Sequence, residues 1–223
     1  MNSNGLGIHI VLTGAPGCGK GTQARLLKER VAVAHLSTGE MLRAEAQTGS
    51  PLGLEIKALI DDGNLVPDEM IIRMLEKRIE QDDCKNGFIL DGFPRTLPQA
   101  EVLESMLKNK GITLDAAIEI QVPDEIIMER ILGRYACMKC GHGYHDKYQK
   151  PHVYGVCDNC GGTEFYRRID DNRTTVQNRL VNYRALTYPT IPYFESKGLL
   201  RCVDGTGSIS AVSGKIDKLL AVA

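Results

Sequence analysis

A glycine-rich loop near the N-terminus constrains this chain more than any other feature. Residues 14–22 read GAPGCGKGT and directly follow the apolar run Ile8–Thr13. An apolar run stopped by glycine and proline predicts a strand and a turn, and Thr22–Val31 has helical composition. Glycine lets backbone N–H groups turn inward, so a strand, such a loop and a helix form an anion cradle. We therefore predict a nucleotide phosphate site, with Lys20 reaching the β and γ phosphates.

The loop departs from the general pattern G-x-x-x-x-G-K-[ST] at one position. Gly21 follows Lys20, and the hydroxyl comes one residue later at Thr22. Direct ligation of magnesium by a hydroxyl next to the lysine is therefore not available. Asp91, which ends the apolar run Phe88–Leu90, offers an alternative oxygen. Because magnesium keeps part of its hydration shell, we expect Asp91 to hold it through water.

Strand-like and helix-like segments alternate along most of the chain. Short apolar runs predict strands at residues 8–13, 35–37, 88–90, 118–122 and 199–203. Composition and periodicity predict helices at residues 22–31, 68–81, 99–108, 124–132 and 209–220, with two more within 39–63, broken at 49–51. This alternation indicates parallel βαβ units. We expect an α/β fold with a doubly wound, five-stranded parallel sheet.

The stretch Gly133–Asp171 interrupts the alternation and carries two close cysteine pairs, Cys137-x2-Cys140 and Cys157-x2-Cys160. Two such pairs can close a tetrahedron of thiolates around zinc, and four protein ligands leave no position for water. We expect a structural Zn2+ that cross-links a small inserted minidomain. Disulfides, a vestigial site, substitution of a thiolate by a nearby histidine, and iron or cobalt in place of zinc are the alternatives.

One arginine, Arg95, follows a predicted strand, and four lie at the two ends of the insert: Arg130, Arg134, Arg168 and Arg179. Arginine binds phosphate in a bidentate manner, and catalysis of phosphoryl transfer is mostly positioning and electrostatic stabilisation. Asp170 and Asp171 lie next to this set in sequence, although Asp171 also fits the N-cap of a following helix. A kinase that moves phosphate between two nucleotides needs several cations converging on one point.

Two segments resemble the signatures of the adenylate kinases. They are Leu36–Arg43 (LSTGEMLR) and Asp91–Gln99 (DGFPRTLPQ), and the phosphate loop has the G-x-P-G-x-G-K-G-T form of the same family. The resemblance extends from Ile8 to Gly207; one difference is Glu40, where many relatives carry aspartate. The resemblance implies that the chain catalyses MgATP + AMP = 2 ADP by direct in-line transfer of a phosphoryl group, without a protein nucleophile. It also implies a role in adenine nucleotide homeostasis.

The resemblance also implies the residues of each subsite. ATP binding falls to Gly14, Gly17, Cys18, Gly19, Lys20, Gly21, Thr22, Arg130, Arg134, Tyr144 and Gly207. AMP binding falls to Thr38, Arg43, Asn64, Leu65, Val66, Gly92, Phe93, Pro94, Arg95, Gln99, Arg168 and Arg179. Catalysis falls to Lys20, Asp91, Arg95, Arg130, Arg134, Arg168, Asp170, Asp171 and Arg179. Gln99 is expected to read the adenine edge.

The same resemblance divides the chain into three parts. The core comprises residues 1–36, 67–132 and 172–223, the helical AMP-binding segment residues 37–66, and the zinc-binding β lid residues 133–171. His142 stands two residues before Tyr144, where many relatives without the cysteines carry arginine, so the resemblance does not specify the adenine contacts of the lid. ATP, AMP and ADP are the expected partners, and Mg2+ the expected companion of ATP.

The net charge and the hydropathy of the chain exclude several classes of protein. The formal net charge is -1, so the chain lacks the overall basic field of a nucleic-acid-binding protein. It has neither an apolar run of membrane length nor a signal-peptide pattern at its N-terminus. We expect a cytoplasmic protein that binds no membrane and no nucleic acid, and the resemblance implies a monomer.

Three alternatives differ from this interpretation. The nearest is a GTP-using or other nucleoside-monophosphate kinase. A GTPase-like switch is disfavoured because the chain has no N-K-x-D element. A zinc-ribbon nucleic-acid-binding module is the alternative from a different class, because the insert carries Lys139, Lys147, Lys150 and several tyrosines.

Overall fold

The computed structural model describes residues 7–62 and 64–220. Its strands are β1 Ile8–Thr13, β2 Ala34–Ser37, β3 Gly87–Asp91, β4 Ala116–Gln121, β5 Arg134–Cys137, β6 Gly143–His145, β7 Phe165–Tyr166 and β8 Leu200–Asp204. Its α-helices are α1 Lys20–Val31, α2 Thr38–Ala46, α3 Pro51–Asp61, α4 Asp68–Ile79, α5 Leu97–Asn109, α6 Asp124–Leu132, α7 Arg173–Asn182, α8 Thr190–Ser196 and α9 Ile209–Leu220. A 3-10 turn at Asp82–Cys84 and a π-helical turn at Tyr183–Thr187 complete the helical elements of the described residues.

Five of the described strands form one parallel sheet in the order β2-β3-β1-β4-β8. From β1 the chain forms β2 at one edge and then β3 between β2 and β1, and afterwards adds β4 and β8 on the other side, which is the doubly wound arrangement expected from the sequence. Strands β1 and β4 lie next to each other although much of the chain separates them. In such sheets, ligands bind at the carboxyl ends of the strands, near the point where the winding direction changes.

The sheet is covered on both faces, and β1 contributes to both. Val11 packs into one apolar cluster with Phe88, Leu90 and residues of α4 and α5. Ile10 and Leu12 pack into the opposite cluster with residues of α1 and α9. Successive side chains of a strand point to opposite faces, so a strand buried on both sides reads as a continuous apolar run. This explains why the strands could be predicted from the sequence.

The five core strands were predicted within two residues of their observed ends. The predicted helices are also present, but α7 and α8 were not assigned. Helix α7 (RTTVQNRLVN) has few apolar positions and therefore weak helical periodicity. Its N-cap is Asn172, whose side chain accepts a hydrogen bond from the backbone N–H of Thr175 at 2.9 Å. The alternative that placed Asp171 at this cap is wrong.

Two smaller units project from the sheet. Helices α2 and α3 are each capped by a serine, Ser37 and Ser50, whose hydroxyls accept hydrogen bonds from backbone N–H groups. The segment around the cysteines contains a three-stranded antiparallel sheet in the order β6-β5-β7. Over the described ranges, every helix is too short or too polar to span a bilayer.

Candidate active site

A cleft of about 1600 Å³ opens at the carboxyl ends of the core strands. Three regions line it: the phosphate loop, the helical segment α2–α3 and the small antiparallel sheet. Among the predicted site residues, those that line the cleft are Gly14, Gly17, Cys18, Gly19, Lys20, Gly21, Thr22, Thr38, Arg43, Asn64, Leu65, Val66, Asp91, Gly92, Pro94, Arg95, Arg130, Arg134, Tyr144, Arg168, Asp171, Arg179 and Gly207. Phe93, Gln99 and Asp170 lie behind this lining and are almost fully buried.

The phosphate loop wraps the N-terminus of α1. Gly14 has a φ of 130°, and a Cβ there would lie 2.6 Å from the carbonyl oxygen of Ile120. Gly19 caps the helix with a φ of 109° and no side-chain hydrogen bond, so the first N–H groups of α1 stay available for an anion. Lys20 Nζ donates to the carbonyl oxygens of Gly14 at 2.7 Å and Ala15 at 3.0 Å. The lysine charge therefore lies across the mouth of the loop.

Asp91 is an ionised carboxylate at the base of the cleft. Burial raises its pKa, but the hydrogen bond from His35 and the positive charges of Lys20 and Arg95 together bring the pKa below its ordinary value. His35 Nε2 lies 3.4 Å from Asp91 Oδ2. A Cβ at Gly21 would approach the same oxygen to 3.3 Å, so a glycine after the lysine leaves room for this carboxylate. A charged oxygen beside the loop suits hydrated magnesium.

Two aspartates, Asp170 and Asp171, form ion pairs with arginines of the cleft. Arg134 bonds Asp171 through two nitrogens, of which Nη2 lies 2.5 Å from Oδ1. Arg179 bonds Asp170 and also lies within 3.7 Å of Asp171. Arg130 instead donates to two backbone carbonyls, one of which is that of Gly205 at 2.8 Å. These bonds fix several guanidinium groups at the rim of one cleft.

The crowding of positive charge is visible in the arginine pKa values. Burial and the charge of Arg168 lower the pKa of Arg43 to about 10. Burial and the charge of Arg134 likewise lower the pKa of Arg168. A cationic group whose charge is disfavoured by its surroundings is stabilised by an incoming anion. The cleft is therefore suited to a polyanion such as linked phosphates.

Removing one of the two aspartates is expected to destabilise the fold. Burial raises the pKa of Asp170, but the charge and hydrogen bond of Arg179 bring it below the ordinary carboxyl value. Because the folded-state pKa lies below the unfolded value, Asp170 contributes stability at neutral pH that is lost as the pH falls through the depressed pKa. Asp170→Asn should lower the free energy of unfolding by about 3 kcal/mol at pH 7, and by less in acid.

Urea unfolding at pH 7 and at stepwise lower pH checks this expectation. Asp146→Asn is the matched control, because Asp146 forms an exposed ion pair with Arg167 at 2.7 Å. Exposed pairs contribute about 1 kcal/mol or less. If both variants lost the same free energy of unfolding at every pH, the Asp170–Arg179 pair would contribute no more to stability than an exposed ion pair.

The acceptor side of the cleft is built around the turn after β3. Thr38 Oγ1 donates to the carbonyl oxygen of Asp91 at 3.3 Å, and Arg95 Nε donates to the carbonyl oxygen of Gly92 at 2.8 Å. Gly92 has a φ of 85°, and a Cβ there would lie 2.9 Å from Thr38 Oγ1. Gln99 accepts from the backbone N–H of Arg95 at 2.7 Å. Three of the predicted acceptor residues, Gly92, Arg95 and Gln99, are thus connected to one another by hydrogen bonds.

The four paired cysteines converge in the lid. Their Sγ atoms all lie within 4.8 Å of one another, and the separation is 3.6 Å for both Cys137–Cys160 and Cys140–Cys157. Zinc–sulfur bonds of about 2.3 Å in a tetrahedron set the sulfurs about 3.8 Å apart. No disulfide joins any cysteines of the described chain. The donor set therefore fits a structural metal ion.

The two cysteine pairs have the same local backbone geometry. The N–H of Gly141 bonds the carbonyl oxygen of Cys137, and the N–H of Gly161 bonds that of Cys157, each at 2.9 Å. Both glycines have a positive φ, 70° and 68°, which other residues rarely adopt. The buried Tyr144 donates through its hydroxyl to Cys157 Sγ at 3.4 Å. Tyr144 therefore lines the cleft, while its hydroxyl is hydrogen-bonded to the cysteine cluster.

Two side chains at the site were not found by sequence reasoning. His35 contacts Asp91, and Asp68 accepts a hydrogen bond from Gln99 Nε2 at 2.6 Å. Neither belongs to a motif with a characteristic spacing. His35 lies on β2 opposite β3, and Asp68 begins α4. Finding His35 would have required knowing that β2 pairs with β3. Finding Asp68 would have required knowing how α4 packs.

Comparison with known proteins is consistent with this geometry. Residues 12–199 match the family model described as adenylate kinase. The chain is 53% identical over 213 residues to an adenylate kinase of Paramagnetospirillum magneticum, covering 96% of this chain and 98% of that protein. It is 51% identical to one of Allorhizobium ampelinum and 50% identical to one of Carboxydothermus hydrogenoformans, each over 213 residues, 96% of this chain and 99% of the relative.

Proposed function

The chain belongs to the adenylate kinase family, and on that premise we propose that its cleft catalyses reversible phosphoryl transfer, MgATP + AMP = 2 ADP. It is therefore a phosphotransferase enzyme. The observation that carries the proposal is the convergence of a phosphate loop, an ionised aspartate and several arginines on one cleft. Phosphoryl transfer needs these parts and no protein nucleophile.

The phosphate loop and the lid entrance form the ATP side. The N–H groups of the loop and the α1 N-terminus bind the β and γ phosphates, and Lys20 neutralises their charge. Arg130, fixed by the carbonyl oxygens of Cys18 and Gly205, approaches the same phosphates from the opposite wall. The two positive groups hold the transferring phosphoryl group between donor and acceptor.

The turn after β3 and the helical segment α2–α3 form the AMP side. Arg43 and Arg95 bind the AMP phosphate, and burial lowers the pKa of both guanidinium groups, so each gains from an anionic partner. Thr38 and the segment 64–66 line the cleft beside them and contact the nucleoside. Gln99 lies behind this wall and meets the base edge when the helical segment moves.

Charge stabilisation is the main contribution of the protein to the reaction. Negative charge spreads over the transferring group, and preorganised cations stabilise it without reorganising. Asp171 holds Arg134, and Asp170 holds Arg179. Arg168 joins them from the lid side. These arginines act as a fixed cationic wall around the reacting phosphates.

Two metal ions fit the residues present. Magnesium bound with ATP would neutralise phosphate charge, and Asp91 is the carboxylate that would hold its water shell. Zinc held by Cys137, Cys140, Cys157 and Cys160 cross-links the lid and supplies no chemistry to the reaction. The sulfur separations support the second assignment.

The proposed domain division assigns motion to two segments. The segment 37–66 covers AMP, and the lid 133–171 covers ATP, while the remaining chain forms the core. Closure of both segments excludes water and so suppresses hydrolysis of ATP. We also propose, from the resemblance to the family, that the enzyme acts as a cytoplasmic monomer.

The test is ADP formation from ATP and magnesium with AMP, CMP, UMP or GMP as acceptor, and with no acceptor as control. We expect rapid turnover with AMP, slow turnover with the other monophosphates and no acceptor-independent hydrolysis. Replacing ATP by GTP tests the choice of donor in the same assay. Turnover with a different monophosphate would retain the mechanism and refute the acceptor assignment, whereas absence of turnover would refute the kinase function.

A further inference from the structure

The side-chain amide of Gln99 is held in one orientation from both ends. Its Oε1 accepts from the backbone N–H of Arg95 at 2.7 Å, and its Nε2 donates to Asp68 Oδ1 at 2.6 Å. A backbone N–H can only donate and an ionised carboxylate can only accept. Rotating the amide by half a turn would oppose donor to donor and acceptor to acceptor. The two partners therefore determine which end of the amide is oxygen and which is nitrogen.

Asp68 is itself fixed by the same network. It begins α4 directly after Pro67, and its Oδ2 accepts from Thr96 Oγ1 at 3.3 Å. Thr96 Oγ1 in turn accepts from the backbone N–H of Gln99 at 3.2 Å. Asp68, Thr96 and Gln99 thus form a closed ring of hydrogen bonds between α4 and α5. A carboxylate held at both oxygens cannot turn away from the glutamine.

The network lies next to the acceptor wall of the cleft. Arg95, which bonds one end of the glutamine amide, lines the cleft, and so does Val66, two residues before Asp68. Each bond to Arg95 and Asp68 uses only part of the amide, because oxygen accepts two hydrogen bonds and nitrogen donates two. One lone pair and one N–H of Gln99 remain for a base.

We propose that Asp68 is a positioning residue that makes the acceptor site selective for adenine over hypoxanthine. The inference rests on the proposed function, in which Gln99 meets the acceptor base. Adenine presents a donor at N6 and an acceptor at N1, whereas hypoxanthine presents an acceptor at O6 and a donor at N1. The two bases therefore need opposite orientations of one amide. By holding Nε2 on its own side, Asp68 prevents the half-turn that hypoxanthine requires.

The test compares AMP with IMP as acceptors. In Asp68→Ala, Gln99 loses one of its two orienting partners, and the half-turned amide becomes accessible. We expect the ratio of kcat/KM for AMP over IMP to fall about tenfold or more, the size of one charge-assisted hydrogen bond. Most of the change should lie in KM, because the base is remote from the transferred phosphate. Asp68→Asn should restore only part of the ratio, because its amide oxygen can still accept from Gln99 Nε2 but its amide nitrogen can instead donate to a half-turned Gln99.

The chain provides its own matched control. The sequence Val-Pro-Asp-Glu occurs at residues 66–69 and again at 122–125, and each copy begins a helix, α4 and α6. Asp124 pairs with Arg184 and does not line the cleft. Asp124→Ala therefore removes an equivalent helix-starting carboxylate without touching Gln99. Its AMP over IMP ratio should equal that of the unmodified enzyme.

Several outcomes separate the proposal from simpler effects. If Asp68→Ala raises KM equally for both acceptors, Asp68 is only structural and the proposal is overturned. An unchanged ratio in Asp68→Ala, or a ratio in Asp68→Asn that is no higher than in Asp68→Ala, overturns it as well. If the alanine variant does not fold, Asp68→Ser keeps a residue favoured at helix starts and takes its place. Absence of AMP turnover in the unmodified enzyme would instead refute the proposed function.

Discussion

Lys20→Met is expected to lower kcat/KM for ADP formation about a thousandfold. Methionine is close to lysine in length, so the change removes mainly the ammonium charge. In the structure Nζ lies across the phosphate loop, within 3.0 Å of two of its carbonyl oxygens. A preorganised positive group at a transferring phosphoryl group contributes about a hundredfold to a thousandfold or more in rate. Steady-state kinetics with ATP and AMP measure the loss.

Loss of charge must be separated from loss of structure, because Lys20 Nζ also bonds the loop that it belongs to. Lys28→Met removes an exposed lysine from the same helix, α1, and should leave kcat/KM unchanged. Thermal unfolding of both variants should stay within a few degrees of the unmodified enzyme. Activity of Lys20→Met within tenfold of normal would remove this lysine from the catalytic set. A large fall in its melting temperature would assign it a structural role in the loop.

Loss of the metal is expected to inactivate the enzyme by unfolding the lid. Cys140→Ser should reduce bound zinc from one per chain to a small fraction and lower the melting temperature of the lid. Structural zinc contributes about 10 kcal/mol or more of folding free energy to small zinc-dependent domains. Apart from the cysteine cluster, few described side chains form the apolar interior of this unit, so little remains to hold it. The core, which has its own apolar clusters, should stay folded.

Elemental analysis, calorimetry and the ADP-formation assay together test this expectation. Cys202→Ser is the matched control, since Cys202 and Cys140 are both exposed and only Cys140 belongs to the cluster. The control should keep its metal content, melting temperature and activity. A purified protein that contains iron or cobalt would change the metal but retain the structural argument. A protein without metal and with cysteines paired in disulfides would refute it.

Much of the site could be predicted because its parts are local. The phosphate loop is one contiguous segment in which Gly14, Gly17 and Gly19 have positive φ values. The cysteine pairs are each closed by a glycine turn within a few residues. The same holds for the strands of the parallel sheet, whose burial on both faces leaves continuous apolar runs. In each case backbone conformation and short-range spacing carry the information.

Prediction failed where local preference is weak. Helix α7 carries Arg179 and caps itself with Asn172, but its polar composition provides little periodicity. Its position depends on packing: Val176 and Leu180 bury against Ile127 and Ile131 of α6. The resemblance to known kinases nevertheless indicated Arg179, because a motif can identify a residue without identifying the helix on which it lies.

The order of amino acids was enough to specify the fold class, the phosphate loop, the four cysteines and the identity of most charged residues in the cleft. Which of these residues contact each other depends on the three-dimensional arrangement of the chain. His35 meets Asp91 from 56 residues away, and Asp68 meets Gln99 from 31 residues away. Such contacts depend on strand order and on how α4 packs against α5. Hydrogen bonds act over about 3 Å, so they are specified only when distant segments have been brought together by the burial of apolar surface.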